Sequence, residues 1–285
     1  MKTINARSLF KLDWLILAII ALLCFIAFQQ GDMYHTVGSS FAYLKGHFFD
    51  FYDYNKQHIG GNNYLPSSYI LFAIWNIPLK ILGLVNLPTT EISLVIIWWN
   101  KLLTTLFYVF SGILVYKIGK SVGFSETNSK LTAFIWLTTP IALFSQFIFG
   151  QYDVFTLFFT LLGLYYYLEK NNIKFIIFFG VAMTFKYFPM FIFMPLLLAR
   201  EKDVWKIIKD SCLVVLPVAI EILIYYPSAA FQTGVLGFGA PKFILQTQLG
   251  GQYASIQLVV LLWMLLCAYA YFNQIEDRNN FISIP

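Results

Sequence analysis

The chain has 285 residues, of which 59% are hydrophobic, 19% aromatic and only 12% charged, with a formal net charge of +5. An ordinary soluble domain carries about 25% charged and roughly 45–50% apolar residues. Half the usual charge cannot coat a soluble globule of this size. A soluble enzyme, a disordered chain and a nucleic-acid binder are excluded, and a polytopic membrane protein is expected.

Runs without Asp, Glu, Lys or Arg cover 14–31, 102–116, 131–152, 154–168, 211–220 and 243–275. A spanning helix needs about 20 mostly apolar residues, and a bilayer admits only helices or closed barrels. These runs are apolar on all sides, without the alternation of barrel strands, so the expected fold is all-α, a transmembrane helical bundle. Helix 1 is predicted over 12–28. Lys2, Arg7 and Lys11 precede it as in a signal peptide, but Phe28-Gln29-Gln30 is no small-residue cleavage site, so it reads as an uncleaved anchor. Helices follow at 92–116, 131–148 and 154–168, then a short pair at 173–186 and 188–200 broken by Pro189, then 210–226 and 254–272. That makes about eight membrane helices in a single integral membrane domain, 1–285. Cys24, Cys212 and Cys267 all fall in apolar runs and read as buried fillers rather than a disulfide or metal framework.

Charge asymmetry sets the topology. Short cytoplasmic loops collect Lys and Arg, and one assignment places Lys2/Arg7/Lys11, Lys117/Lys120/Lys130, Lys170/Lys174, Arg200/Lys202/Lys206/Lys209 and Arg278 all inside, with both termini cytoplasmic. The segment 64–84 is apolar enough to span, which would invert every later loop. Its Pro66, Trp75, Pro78 and Lys80 place it instead flat or re-entrant at the outer surface. Two outer segments result, 29–91 and 227–252, and loops of that length are uncommon unless they do something. Lys45, with Phe41, Tyr43 and Leu44, fits an amphipathic surface helix over 35–48. No internal repeat of the transporter kind is visible.

The outer face carries the candidate chemistry. Asp32 follows helix 1 directly, and Asp153 starts helix 4 within Gly150-Gln151-Tyr152-Asp153. Two acids brought to one face by different helices can orient and deprotonate a hydroxyl. Against that stand a solvated loop acid at Asp32 and an N-cap at Asp153. Lys186, in Thr184-Phe185-Lys186-Tyr187-Phe188-Pro189, interrupts a long apolar stretch. An ionisable group at membrane depth is a functional hypothesis, here a point charge for a phosphate. The competing explanation is a lysine snorkelling to the headgroups. His35, His47 and His58 have no Cys neighbours and read as loop histidines, while Asp50 and Asp53 resemble a metal-binding pair only loosely. Glu221 either faces the site or reaches the interface, and Tyr165-Tyr166-Tyr167 marks an inner aromatic belt.

Taken in order, these features resemble the GT-C superfamily of membrane glycosyltransferases, particularly the catalytic subunits of GPI mannosyltransferases and related bacterial enzymes. The likeness rests on Asp32 with Gly46 fourteen residues later, on Tyr64-Leu65-Pro66-Ser67-Ser68-Tyr69, and on Asn100-Lys101-Leu102-Leu103 leading to Leu114-Val115-Tyr116-Lys117. It continues with a helix from Pro140 to Asp153 and the lysine-aromatic-proline signature at Lys186. It covers roughly residues 12–200. The resemblance implies a monosaccharide transferred, as in hexosyl- or mannosyltransferases, from a polyprenyl-phosphate donor to a cell-surface glycan, glycolipid or wall polymer at the outer face of a bacterial plasma membrane. It makes Asp32 the general base and Asp153 its partner, Lys186 the binder of donor phosphate, and Tyr64, Gln151 and Tyr187 substrate contacts. No organic cofactor is implied. Gln30 stands where many relatives carry a second acid, which counts against a bound divalent cation without excluding one. The family is usually longer, so 281–285 reads as an interrupted end. A transporter or lipid flippase and a non-catalytic assembly subunit are the competing classes.

Overall fold

The computed structural model describes residues 6–29, 31–85, 91–150, 152–238, 248–249 and 256–273. It is almost entirely helical. The helices are α1 (Ala6–Ala27), α2 (Gly31–Leu44), α3 (Phe51–Ile59), α4 (Pro66–Trp75), α5 (Ile77–Ile81), α6 (Leu94–Ser121), α7 (Glu126–Thr138) and α8 (Pro140–Leu143) with a π turn over Phe144–Ile148. They continue with α9 (Val154–Leu168), α10 (Asn172–Phe185), α11 (Met190–Arg200), α12 (Val204–Tyr225), α13 (Ala229–Phe231) with a π turn over Gln232–Leu236, and α14 (Leu258–Phe272). Among the described residues the only strands are a two-residue antiparallel pair, Gln248–Leu249 with Ile256–Gln257.

Predicted and observed helices coincide along most of the chain, with informative differences. The helix expected over 131–148 breaks at Thr139-Pro140, where its halves bend by 52°. Pro140 has no N–H to continue the ladder and starts a new helix at its first position. The outer segment 29–91 is built of α2 to α5, so Asp32 sits in the first turn of a helix rather than in a loop. The expected amphipathic surface helix is α2, and it is mostly buried: Met33, Val37, Phe41 and Tyr43 all pack inside. Cys212 is exposed and Cys24 and Cys267 are half-buried, so none is a fully buried filler. The start of the helix expected at 254 and the segment 281–285 lie outside the described residues.

Among the described residues, one helix, Leu94–Ser121 with 28 residues, is long and apolar enough to cross a membrane. There are up to three if each bent pair, Lys11–Ala27 with Gly31–Leu44 and Glu126–Thr138 with Pro140–Ile148, is one span. The remaining apolar helices fall between 10 and 17 residues; at 1.5 Å per residue, 15 residues reach only about 22 Å of a hydrocarbon core about 30 Å thick.

α6 packs against α7 and α9, α9 against α10, and α10 against α12. Gly112 lets Leu137 of α7 approach to where a Cβ would stand 2.7 Å away, and Gly163 of α9 gives the Phe179 ring of α10 the same freedom at 2.5 Å. α4 is fixed to α6 by a reciprocal clamp. Trp75 and Trp99 stack at 4.8 Å and exchange indole N–H donors for each other's carbonyls at 2.9 and 3.1 Å. The buried amides of Asn76 and Asn100 exchange hydrogen bonds at 2.8 and 3.0 Å. This pairing holds α4 and α5 beside the bundle.

Candidate functional site

Asp32 stands at the N-terminus of α2, where the unpaired N–H groups favour a negative charge. Its carboxylate is exposed and, among the described residues, carries no hydrogen bond or ion pair. One turn on, Thr36 Oγ1 meets the Tyr152 hydroxyl at 2.7 Å. Tyr152 packs edge-on against Tyr64 at 5.1 Å, and the Lys186 ammonium lies over that same Tyr64 ring, 5.3 Å from its centre. Lys186 Nζ then pairs with Asp153 Oδ1 at 2.6 Å. Four separate elements thus meet through Tyr64: α2, the strand-like link before α4, the start of α9 and the end of α10.

The arrangement decides between the local alternatives. Asp153 occupies the N-cap position of α9, yet its side chain makes no capping hydrogen bond and is spent on Lys186. Lys186 ends α10 and is half-buried against Asp153 and Tyr64, held by protein rather than reaching freely outward. Pro189 forms the N-cap of α11, so the break between the two short helices falls where the sequence places it.

Beside Tyr64 opens a polar cavity of about 580 Å³, lined by Asp32, His35, Lys56, Asn62, Tyr64 and Tyr152. Its far wall comes from the second outer segment, through Thr233 and Gly234. Gly234 is required there, because a Cβ would stand 2.4 Å from the carbonyl oxygen of Asn62. That segment is docked by Asp53 Oδ1 accepting from Ala230 N at 3.1 Å, and by an aromatic cluster of Tyr43, Phe51, Tyr52, Tyr69, Tyr225 and Phe231. Burial pushes the Tyr52 phenol well above its usual range, so it stays protonated and donates to the Tyr64 carbonyl at 2.8 Å. The Asp50 and Asp53 pair is split: Asp50 takes His47 at 2.8 Å while Asp53 faces α13. Among the described residues, no three of His, Cys, Asp and Glu come close enough to hold a metal ion.

Asp32 and Tyr64 therefore share a cavity wall, and Asp153 and Lys186 join it through Tyr64. Tyr187 does not join: it is exposed, its phenol raised by partial burial and lowered again by the neighbouring Lys186 charge. Gln151 lies outside the described residues. Glu221 faces inward and accepts a hydrogen bond from Ser67 Oγ, on an apolar groove of about 460 Å³ between α4, α10 and α12 that is also lined by Ile70, Leu71, Thr184 and Phe185.

Sequence reasoning passed over two contributors. Tyr152, buried and joining both outer helices to Asp153, read as one more aromatic. Lys101 lies inside α6 with 2% exposure. Its ammonium donates to Phe25 O at 2.5 Å, Phe28 O at 2.8 Å and Phe147 O at 3.4 Å. It caps the end of α1 just before Asp32 and the end of the broken α7–α8 segment. A cation within a predicted spanning helix was the available signal, and the rule that singles out Lys186 applies to it equally.

Comparison with known protein families, with curated proteins and with solved structures finds none that matches this chain.

Proposed function

We propose that the chain is a multi-pass membrane glycosyltransferase of GT-C type, with about eight membrane-embedded helices and its active site on the non-cytoplasmic face. Both termini are cytoplasmic on this reading. The observation that carries it is the Lys186 ammonium, held between the Asp153 carboxylate and the ring of Tyr64, which in turn lines a polar cavity together with Asp32. The groove lined by Thr184 and Phe185, the two residues before Lys186, suits the apolar tail of a lipid-linked donor whose phosphate reaches the lysine.

The acceptor is a hydroxyl of a cell-surface glycan, glycolipid or wall polymer. Its oxygen attacks the anomeric carbon of the polyprenyl-phosphate sugar, the bond from that carbon to the phosphate oxygen breaks, and Asp32 takes the hydroxyl proton. Lipid phosphate leaves as an anion and needs no proton. Lys186 stabilises the charge that grows on it, and a fixed cation in a dry setting is worth most at that point. Asp153 holds the ammonium in place until the donor arrives. The cavity, with Thr233 and Gly234 on its far wall, has a polar lining that suits a sugar rather than an apolar tail.

A transporter or flippase is the second reading, favoured by one observation: two bent helix pairs whose ends are capped by the buried Lys101. Broken helices around an ionisable group are what such proteins use. One experiment separates the two. Purified protein in vesicles is given a panel of polyprenyl-phosphate sugars with glycan acceptors, and free polyprenyl phosphate is measured. Acceptor-dependent release supports transfer; movement of intact donor between leaflets without release supports transport.

A further inference from the structure

A donor groove runs along one flank of α4. A second groove, of about 790 Å³, adjoins it at Ile70 and Ile74 and carries two lysines that the transfer reading leaves unused. Its wall is an apolar stripe of Ile70, Ile74, Ile77 and Ile81, which recur at helical spacing along α4 and α5 and are all exposed. Ala73 and Phe48 complete the apolar lining. The polar groups at its floor are already committed: Tyr43 and Tyr225 share a hydroxyl contact at 2.9 Å, and Tyr225 donates to Phe48 O at 2.8 Å. Two polar groups remain for a ligand, Lys45 and Lys80, both exposed and both lining the groove. Among the described residues neither pairs with a carboxylate, and no acid lines the groove. Lys80 gives one donor to the carbonyl of Leu44, which ends α2, and keeps two.

We infer that this groove is a seat for one anionic glycerophospholipid, its acyl chain along the isoleucine stripe and its phosphate between Lys45 and Lys80. The chemistry selects that occupant. A zwitterionic lipid brings its own cation beside its phosphate and so offers two unpaired ammonium groups no net charge, and a soluble anion leaves an apolar channel of several hundred Å³ unfilled. Lysines with apolar stems and a charged head at the headgroup level are the usual way a protein surface holds an anionic leaflet. The seat adjoins the groove beside Lys186 and shares Ile70 and Ile74 with it, but the polar ends differ: Lys45 and Lys80 line this groove, and Glu221 and Thr184 line the other. The inference requires only that this face lies in a bilayer, and holds whether or not the chain transfers a sugar.

The test is native mass spectrometry of the detergent-purified full chain, titrated with phosphatidylglycerol, phosphatidylcholine or a polyprenyl phosphate. Phosphatidylglycerol should bind as a single retained copy, in preference to phosphatidylcholine. Lys45→Gln should weaken it about fivefold, as should Lys80→Gln, with the double variant weaker again, since each lysine near an anionic lipid contributes about that factor. Lys80 also caps α2, so Ile77→Trp supplies a change that keeps both charges and fills the groove; it should displace the lipid too. Thermal unfolding without lipid, unchanged from the parent in Lys45→Gln and Ile77→Trp, shows that their loss is one of binding. Equal retention of phosphatidylcholine, phosphatidylglycerol binding untouched by all three substitutions, or retention of polyprenyl phosphate alone would each overturn the assignment.

Discussion

Two polar assemblies flank α4, one around Tyr64 just before its start and one at Trp75-Asn76 at its end, and they are built on opposite principles. In the Trp75–Asn76 and Trp99–Asn100 clamp every side-chain donor has a named acceptor, and each partner repays the other. Around Tyr64 the polar groups are left with spare capacity. Asp32 is exposed and unpartnered among the described residues, and Lys186 has one carboxylate and one ring face. In apolar surroundings an unsatisfied polar group costs about 1–3 kcal/mol. A closed network fixes a helix in register, and an open one holds capacity for something that arrives from outside.

That contrast is best broken at Asp32. Asp32→Asn keeps size and hydrogen bonding but removes the basic carboxylate, and a general base contributes typically 10²–10⁴-fold. Turnover should fall by about that factor in a phosphate-release assay, while stability should drop only by the loss of a helix-terminal charge, about 0.3–1 kcal/mol. Activity within a few-fold of the parent would return Asp32 to a solvated acid.

Next in size is Lys186. The sequence suggests that Lys186→Met eases burial, but the structure corrects this: the substitution strands Asp153, whose Oδ1 is buried against the ammonium. The informative variant is therefore the pair Lys186→Met with Asp153→Asn, which removes both charges together. Its stability should match the parent, and its turnover should drop about 10²–10³-fold, the usual loss when one preorganised stabilising group is removed. A raised KM with unchanged kcat would mean uniform binding of the donor instead.

The clamp should respond in the reverse sense, losing stability and not chemistry. Asn100→Leu leaves the Asn76 amide buried without its partner and should cost about 1–3 kcal/mol in denaturant unfolding. Asn76→Leu with Asn100→Leu should recover much of that, since no polar group is then left over. The smallest effect belongs to Trp75→Phe, which keeps ring stacking and gives up one N–H to the Trp99 carbonyl, a loss of about 1 kcal/mol.

The sequence makes the helices legible because their signals are local. A charge-free run marks α9, the apolar stretch that Lys186 interrupts marks α10 and α11 to within two residues, and Pro189 marks the break between those two. What it hides is long-range. Nothing in the spacing shows that Tyr64 and Tyr152 meet, or that Asp153 forgoes its helix cap for a lysine thirty-three positions later. The 29–91 segment reads as a loop because its helices are short and carry scattered polar residues, and burial against one another and against α6, α10 and α13 supplies what their local pattern lacks. Trp75-Asn76 and Trp99-Asn100 are a repeated dipeptide in plain sight, but their pairing depends on two helices meeting face to face.

The most direct test of the central claim, that Lys186 meets a departing lipid phosphate, is release of polyprenyl phosphate at saturating donor by the parent, by Lys186→Arg and by the Lys186→Met/Asp153→Asn pair. The account predicts acceptor-dependent release by the parent, partial release by the arginine variant, whose planar fork replaces the ammonium imperfectly, and a loss of at least a hundredfold in the paired variant with its fold intact. Release by the paired variant at the parent's rate would contradict it.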